Sequence, residues 1–124
     1  MSRPPEYEGR AFLIQCLELG DGSCPSGEFL DGLDASGRRK LDVLFEMLGD
    51  HGRISNREKF KKLQGSEEIW EFKSHQIRLL CFFAPGKCVL LTNGAIKQTD
   101  KLKRADVERA EKYRSWYMSQ EEGR

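Results

Sequence analysis

The sequence predicts an α+β fold: a small, twisted, antiparallel-rich sheet of about four strands, with an N-terminal helical hairpin and a C-terminal helix packed on it. Three observations predict it. Apolar runs at Ile69–Lys73, Ile77–Phe83 and Cys88–Thr92 or beyond are separated only by "SHQ" and by the Pro-Gly turn "APGK", which reads as an antiparallel meander. Between Phe29 and Leu48 the apolar residues recur at helical spacing. A last periodic stretch, Lys103 to Met118, places Val107, Ala110, Tyr113 or Arg114, and Tyr117 on one stripe.

Taken in order, "AFLIQCLEL" (Ala11 to Leu19) reads as a first buried strand, ended by the turn-rich "GDGSCPSG". Ser26 is positioned to cap a short helix carrying Phe29, Leu30 and Leu33, and Ser36 to cap a second carrying Leu41, Leu44, Phe45 and Leu48. Gly49 and Gly52 stop it. "NREKFKKLQG" reads as a short helix between Asn56 and Gly65, with Lys59 and Lys62 on one exposed face. In the last strand Asn93-Gly94 predicts a bulge before Ala95-Ile96-Lys97. The whole is expected to be one domain, residues 1–124, with flexible tails at 1–10 and 119–124.

A net charge of +1 conceals an asymmetry. Residues 1–52 hold five Lys/Arg and ten Asp/Glu; residues 53–117 hold fifteen and eight. A basic second half on a near-neutral chain suggests a surface for an anion. No apolar run approaches the ~20 residues that span a bilayer, and the N-terminus "MSRPPEYEGR" lacks a signal-peptide core. A cytoplasmic location follows as the expectation. Cys16, Cys24, Cys81 and Cys88 lack the close pairing of a zinc site; three of them lie in apolar strand-like runs, and core thiols are the expected reading. A hairpin with Phe83 opposite Cys88 would set Cys81 against Leu90, leaving a Cys81–Cys88 disulfide out of register.

Four local patterns, "KKLQG", "IWEFK", "IRLLCFF-PGK" and "LLTNGAIKQTDK" running into "ADVERAEKYRSWY", resemble in order and spacing the RelE/ParE toxin superfamily, in its phage-derived RelE/HigB branch. The resemblance covers about Leu13 to Tyr117. It implies a toxin that cuts messenger RNA on the ribosome, a metal-independent endoribonuclease with no cofactor, silenced by an antitoxin of helix-turn-helix type. A gyrase inhibitor of ParE type, or a catalytically inactive homologue that only binds protein, are the alternatives on the same scaffold.

RNA cleavage by its own 2′-hydroxyl needs that hydroxyl deprotonated, charge on phosphorus stabilised, and the leaving 5′-oxygen protonated. Arg78 lies in mid-strand, and its planar fork suits two phosphate oxygens, so it is assigned the scissile phosphate. By resemblance Lys73 and Lys97 complete the catalytic set, one as general base and the other as acid, in an order the sequence leaves open. Glu71 stands where RelE carries a lysine, and is either an alternative base or a salt-bridge partner of Lys73. Lys59, Lys62, Lys101, Lys103 and Arg104 form the expected RNA-gripping rim. Trp70 is read as core rather than as a base-stacking platform. His51 and His75 are left outside the site, and Lys87 and Lys112 are read as solvated surface.

Overall fold

The computed structural model describes residues 3–66, 68–97 and 103–123. Among them the elements run β1 (Tyr7–Glu8), β2 (Leu13–Cys16), α1 (Pro25–Asp31), α2 (Ala35–His51), β3 (Phe60–Lys62), β4 (Trp70–Ser74), β5 (Ile77–Ala84), β6 (Cys88–Ile96) and α3 (Arg104–Glu122). The strands form one six-stranded sheet in the order β1-β2-β6-β5-β4-β3. β2 runs parallel to β6 and the other pairs are antiparallel.

This corrects the expected layout of about four strands behind an N-terminal helical hairpin. Two strands precede the helices, and the sheet is mixed because the chain returns to place β6 beside β2. The supposed basic helix at 56–65 is also a strand, β3. Asn56 closes a turn, its Oδ1 accepting from the Glu58 amide and its carbonyl from Lys59 and Phe60, and the chain then pairs with β4 through Phe60↔Phe72. The segments expected as tails carry β1 and the last turn of α3.

Within the elements the sequence is followed closely at some points and not at others. Pro25 opens α1, while Ser26 is buried and donates to the Leu91 carbonyl instead of capping. Asp34, not Ser36, caps α2 by accepting from the Gly37 amide at 2.7 Å. Gly52 ends α2 at φ 79°, a conformation that costs a glycine little. The β5–β6 hairpin pairs Ala84, not Phe83, with Cys88, one residue from the expected register. Cys81 therefore faces Leu91, and all four cysteines are free thiols. The ladder shifts register between Leu79 and Cys81, opposite the Leu91–Gly94 stretch where Asn93-Gly94 predicted a bulge.

The sheet separates two apolar clusters. On one face Ile14, Leu41, Phe45, Leu48, Phe72, Leu79, Val89 and Leu91 meet α1 and α2; on the other Leu17, Ile69, Leu80, Phe82 and Leu90 meet α3 through Ala110, Tyr113, Trp116 and Tyr117. Trp70 belongs to the first, stacked on Phe60 with ring centroids 5.0 Å apart. At Gly94 an added Cβ would lie 2.3 Å from the Phe29 ring, so β6 reaches α1 only because that side chain is absent. Among the described residues no helix is long and apolar enough to cross a membrane.

The N-terminal segment is fastened by charge. Glu6 has an almost fully covered carboxylate that accepts from Arg3 (2.8 Å) and from Arg38 of α2, and Arg3 also holds Asp31 at 2.9 Å. Burial raises the Glu6 pKa, but the two guanidiniums outweigh it and leave the group below its ordinary 4.5. A depressed carboxyl contributes stability above the unfolded-chain value that is lost as pH falls through the folded one. Acid below about pH 4.5 is therefore expected to loosen β1 from α2. Glu6→Gln should cost about 1–3 kcal/mol at pH 7 and flatten this acid limb in thermal melts; an unchanged limb would show that other carboxylates set it.

Candidate functional site

Side-chain alternation assigns the charged residues to faces. Residues 70, 72 and 74 of β4 point to the α1/α2 side, so Glu71 and Lys73 point to the α3 side. Cross-strand pairing extends the row: Lys61 lies opposite Glu71, and Lys73 opposite Arg78, itself opposite Ala95. Lys97 follows two residues after Ala95 and donates its amide to the Gln76 carbonyl. Lys73, Arg78 and Lys97 thus come from three adjacent strands to one face of the sheet, beside the first turn of α3.

Each has a carboxylate beside it. Lys97 Nζ is 2.7 Å from Asp106 Oδ2, Lys73 Nζ is 3.8 Å from Glu58 Oε2, and Arg78 Nε is 3.8 Å from Glu71 Oε2. Asp106 sits in the first turn of α3, where the helix dipole favours an anion. Asn93 Nδ2 donates to the Asp106 carbonyl at 3.1 Å, tying β6 to the same turn.

Depth divides the three. The Arg78 side chain is 2% exposed, while Lys97 and Lys73 are 12% and 16% exposed. Arg78 donates through Nη1 to the backbone carbonyls of His75 and Ile77, closing the β4–β5 turn in which His75 adopts φ 54°. A contact from Arg78 to the scissile phosphate would require it to leave this position. In the structure it serves the turn and Glu71.

Glu71 is 3% exposed on the same face. Burial raises its carboxyl pKa against the opposing pull of Arg78, Lys61 and Lys73. It pairs with Arg78, and Lys73 reaches Glu58.

Among the described residues the expected rim does not assemble as one surface. In a strand, consecutive residues alternate, so Lys62 sits opposite Trp70 on the α1/α2 side, and Lys61 joins the Glu71 row. Reading 60–62 as a strand would have found Lys61. Lys59 lines a groove against α2. Lys103 takes the N-cap position of α3, and Arg104 is exposed with its Nε 2.9 Å from Glu108. Lys101 lies outside the described residues.

The arrangement offers two partly open ammonium groups flanking a buried Arg–Glu pair. Such a row can meet phosphate only by exchanging carboxylates for phosphate oxygens. Among the described residues no group of three or more His, Cys, Asp or Glu side chains is placed to hold a metal.

No curated protein matches the sequence significantly. A family model does: the phage-derived protein Gp49-like family (DUF891) matches residues 28–115. That span runs from α1 to the middle of α3 and includes Lys73, Arg78, Lys97 and their carboxylate partners. The chain belongs to the Gp49-like phage-derived family, within the RelE/ParE-like toxin superfamily.

Proposed function

We propose that this chain is the toxin of a toxin–antitoxin pair and that it stops translation by cleaving messenger RNA on the ribosome. Family membership supports the toxin; the convergence of Lys73, Arg78 and Lys97 on one sheet face supports the chemistry. In this reading the RNA 2′-oxygen attacks its own phosphorus and the bond to the 5′-oxygen breaks, leaving a 2′,3′-cyclic phosphate and a 5′-hydroxyl. One of Lys73 and Lys97, after releasing its own proton to solvent, accepts the 2′-hydroxyl proton as a neutral amine, and the other, an ammonium, protonates the 5′-oxygen. Glu58 and Asp106 hold these ammonium groups until phosphate replaces them. Arg78 acts by holding Glu71 and the His75 turn, as a positioning residue.

A second reading has a specific observation behind it: with Arg78 2% exposed and each cation of the row beside a carboxylate, the face suits a protein that binds without cleaving. Induced expression followed by mapping of RNA ends separates the two. Growth arrest with new 5′-hydroxyl ends in ribosome-bound message is the expected result. Arrest with intact message would overturn the nuclease, and a DNA-damage response would redirect the toxin to gyrase.

A further inference from the structure

The three exposed large hydrophobic side chains among the described residues, Val43, Met47 and Ile96, line two adjoining depressions to which α3 contributes no residue. Val43 and Met47 line an open groove of about 480 Å³ between α2 and the β4–β5 turn, together with Leu44 and Ile54. Ile96 lines the adjoining depression together with Leu33 and Ile77, and the two share Lys40, Ser74 and His75. Lys40, Val43 and Met47 follow one another at helical spacings of three and four, so they form a continuous outer stripe of α2. A helix that keeps Val and Met on its solvent side while burying a full apolar face elsewhere is carrying a second apolar surface.

Charge narrows what fits it. Lys40 and Lys59 stand on the 480 Å³ groove, and none of its described lining residues is acidic. An apolar trough with a basic rim is complementary to an amphipathic helix carrying aliphatic anchors and carboxylates. We propose that this groove is where the antitoxin docks, through an acidic amphipathic helix whose apolar side chains seat against Val43 and Met47 and whose carboxylates meet Lys40 and Lys59. The proposal rests on the toxin reading above. Docking here leaves the Lys73–Arg78–Lys97 row on the opposite sheet face uncovered, but touches Ser74 and His75, and it is the His75 carbonyl that Arg78 holds. Neutralisation would then act through the β4–β5 turn.

The test uses the full chain and the protein encoded by the neighbouring reading frame. Val43→Asp and Met47→Asp should each weaken the complex at least about tenfold, and together about a hundredfold, as expected when central apolar anchors are replaced by charge. Lys40→Glu should weaken it through the rim, mainly by slowing association. Because these side chains are exposed, melting temperatures should stay at the wild-type value, and the variants should remain toxic while escaping neutralisation. Amide exchange of the complex should show protection over residues 40–47 and 54–59.

Wild-type affinity in the double variant, or protection confined to α3, would overturn the proposal and leave the toxin reading intact. A free toxin that dimerises until Met47→Asp splits it would make the groove a contact between copies. RNA binding lost in Lys40→Glu would assign the groove to nucleic acid. A neighbouring protein that neither binds nor neutralises the chain would remove this proposal and the toxin–antitoxin reading together.

Discussion

Arg78→Ala should lower the free energy of unfolding by about 3–5 kcal/mol, because removing one member of a buried ion pair strands the other. Glu71, 3% exposed, would lose the guanidinium 3.8 Å away, and the carbonyls of His75 and Ile77 would lose a charged donor. The loss should depend on pH. The Glu71 carboxyl pKa is already raised by burial, so the folded chain holds that proton more tightly than the unfolded one. Its contribution favours folding at low pH and is lost as pH rises past the ordinary 4.5 towards the folded value. Without Arg78 that decline should steepen. Replacing both residues, Glu71→Met with Arg78→Met, should recover most of the stability, since an apolar pair of similar volume carries no desolvation penalty. Denaturant midpoints of the two single variants and the double variant across pH 4–8 measure this; a change under about 1 kcal/mol in Arg78→Ala would mean that water reaches Glu71 freely.

Lys97→Ala is expected to abolish toxicity, with message cleavage down by about 10²–10⁴-fold, the usual worth of a positioned proton-transfer group. Lys73→Ala should behave alike. Lys73→Ala should leave stability nearly unchanged because Glu58 is 83% exposed, whereas Lys97→Ala leaves the largely covered Asp106 with only Arg109 nearby and should cost about 1–3 kcal/mol without unfolding the chain. Lys97→Arg then separates two roles. Arginine keeps the charge and can replace the contact to Asp106, but it does not give up a proton near neutral pH. Cleavage lost in Lys97→Arg identifies proton transfer, whereas cleavage restored identifies electrostatic stabilisation alone. Variants that still cut message at the wild-type rate would remove Lys97 from the chemistry.

The parts of the fold legible in the sequence were those with long, repeated signals. β4, β5 and β6 are five, eight and nine residues long, and α2 and α3 run over four turns or more, so period and turn chemistry were readable. β1 and β3 have two and three residues, too few to show any period. Phe60 and Leu63, three apart and flanked by Asn56 and Gly65, then imitated a helix. Missing both edge strands, and the parallel return of β6 to β2, produced the four-stranded expectation. At the site, the resemblance supplied Lys73 and Lys97 beside Arg78, and in the structure strand pairing and parity bring the three to one face. Depth depends on what lies above the sheet, which no spacing reports; Arg78 therefore read as a phosphate ligand although it is covered. Lys61 was missed, and Lys62 misplaced, by the same mistaken period.

The sheet order carries a temporal consequence. β6, the last strand among the described residues, is the one that joins β2 to β5, with residues 13–16 meeting residues 88–91. Until β6 exists, the paired β1 and β2 have no bond to the rest of this sheet, and closing so long a loop makes that step late and slow. A nascent or prematurely terminated fragment would hold neither Lys97 nor the strand that fixes Arg78 from one side. On the proposed nuclease reading, a partial translation product would be inactive until β6 and Lys97 had been made.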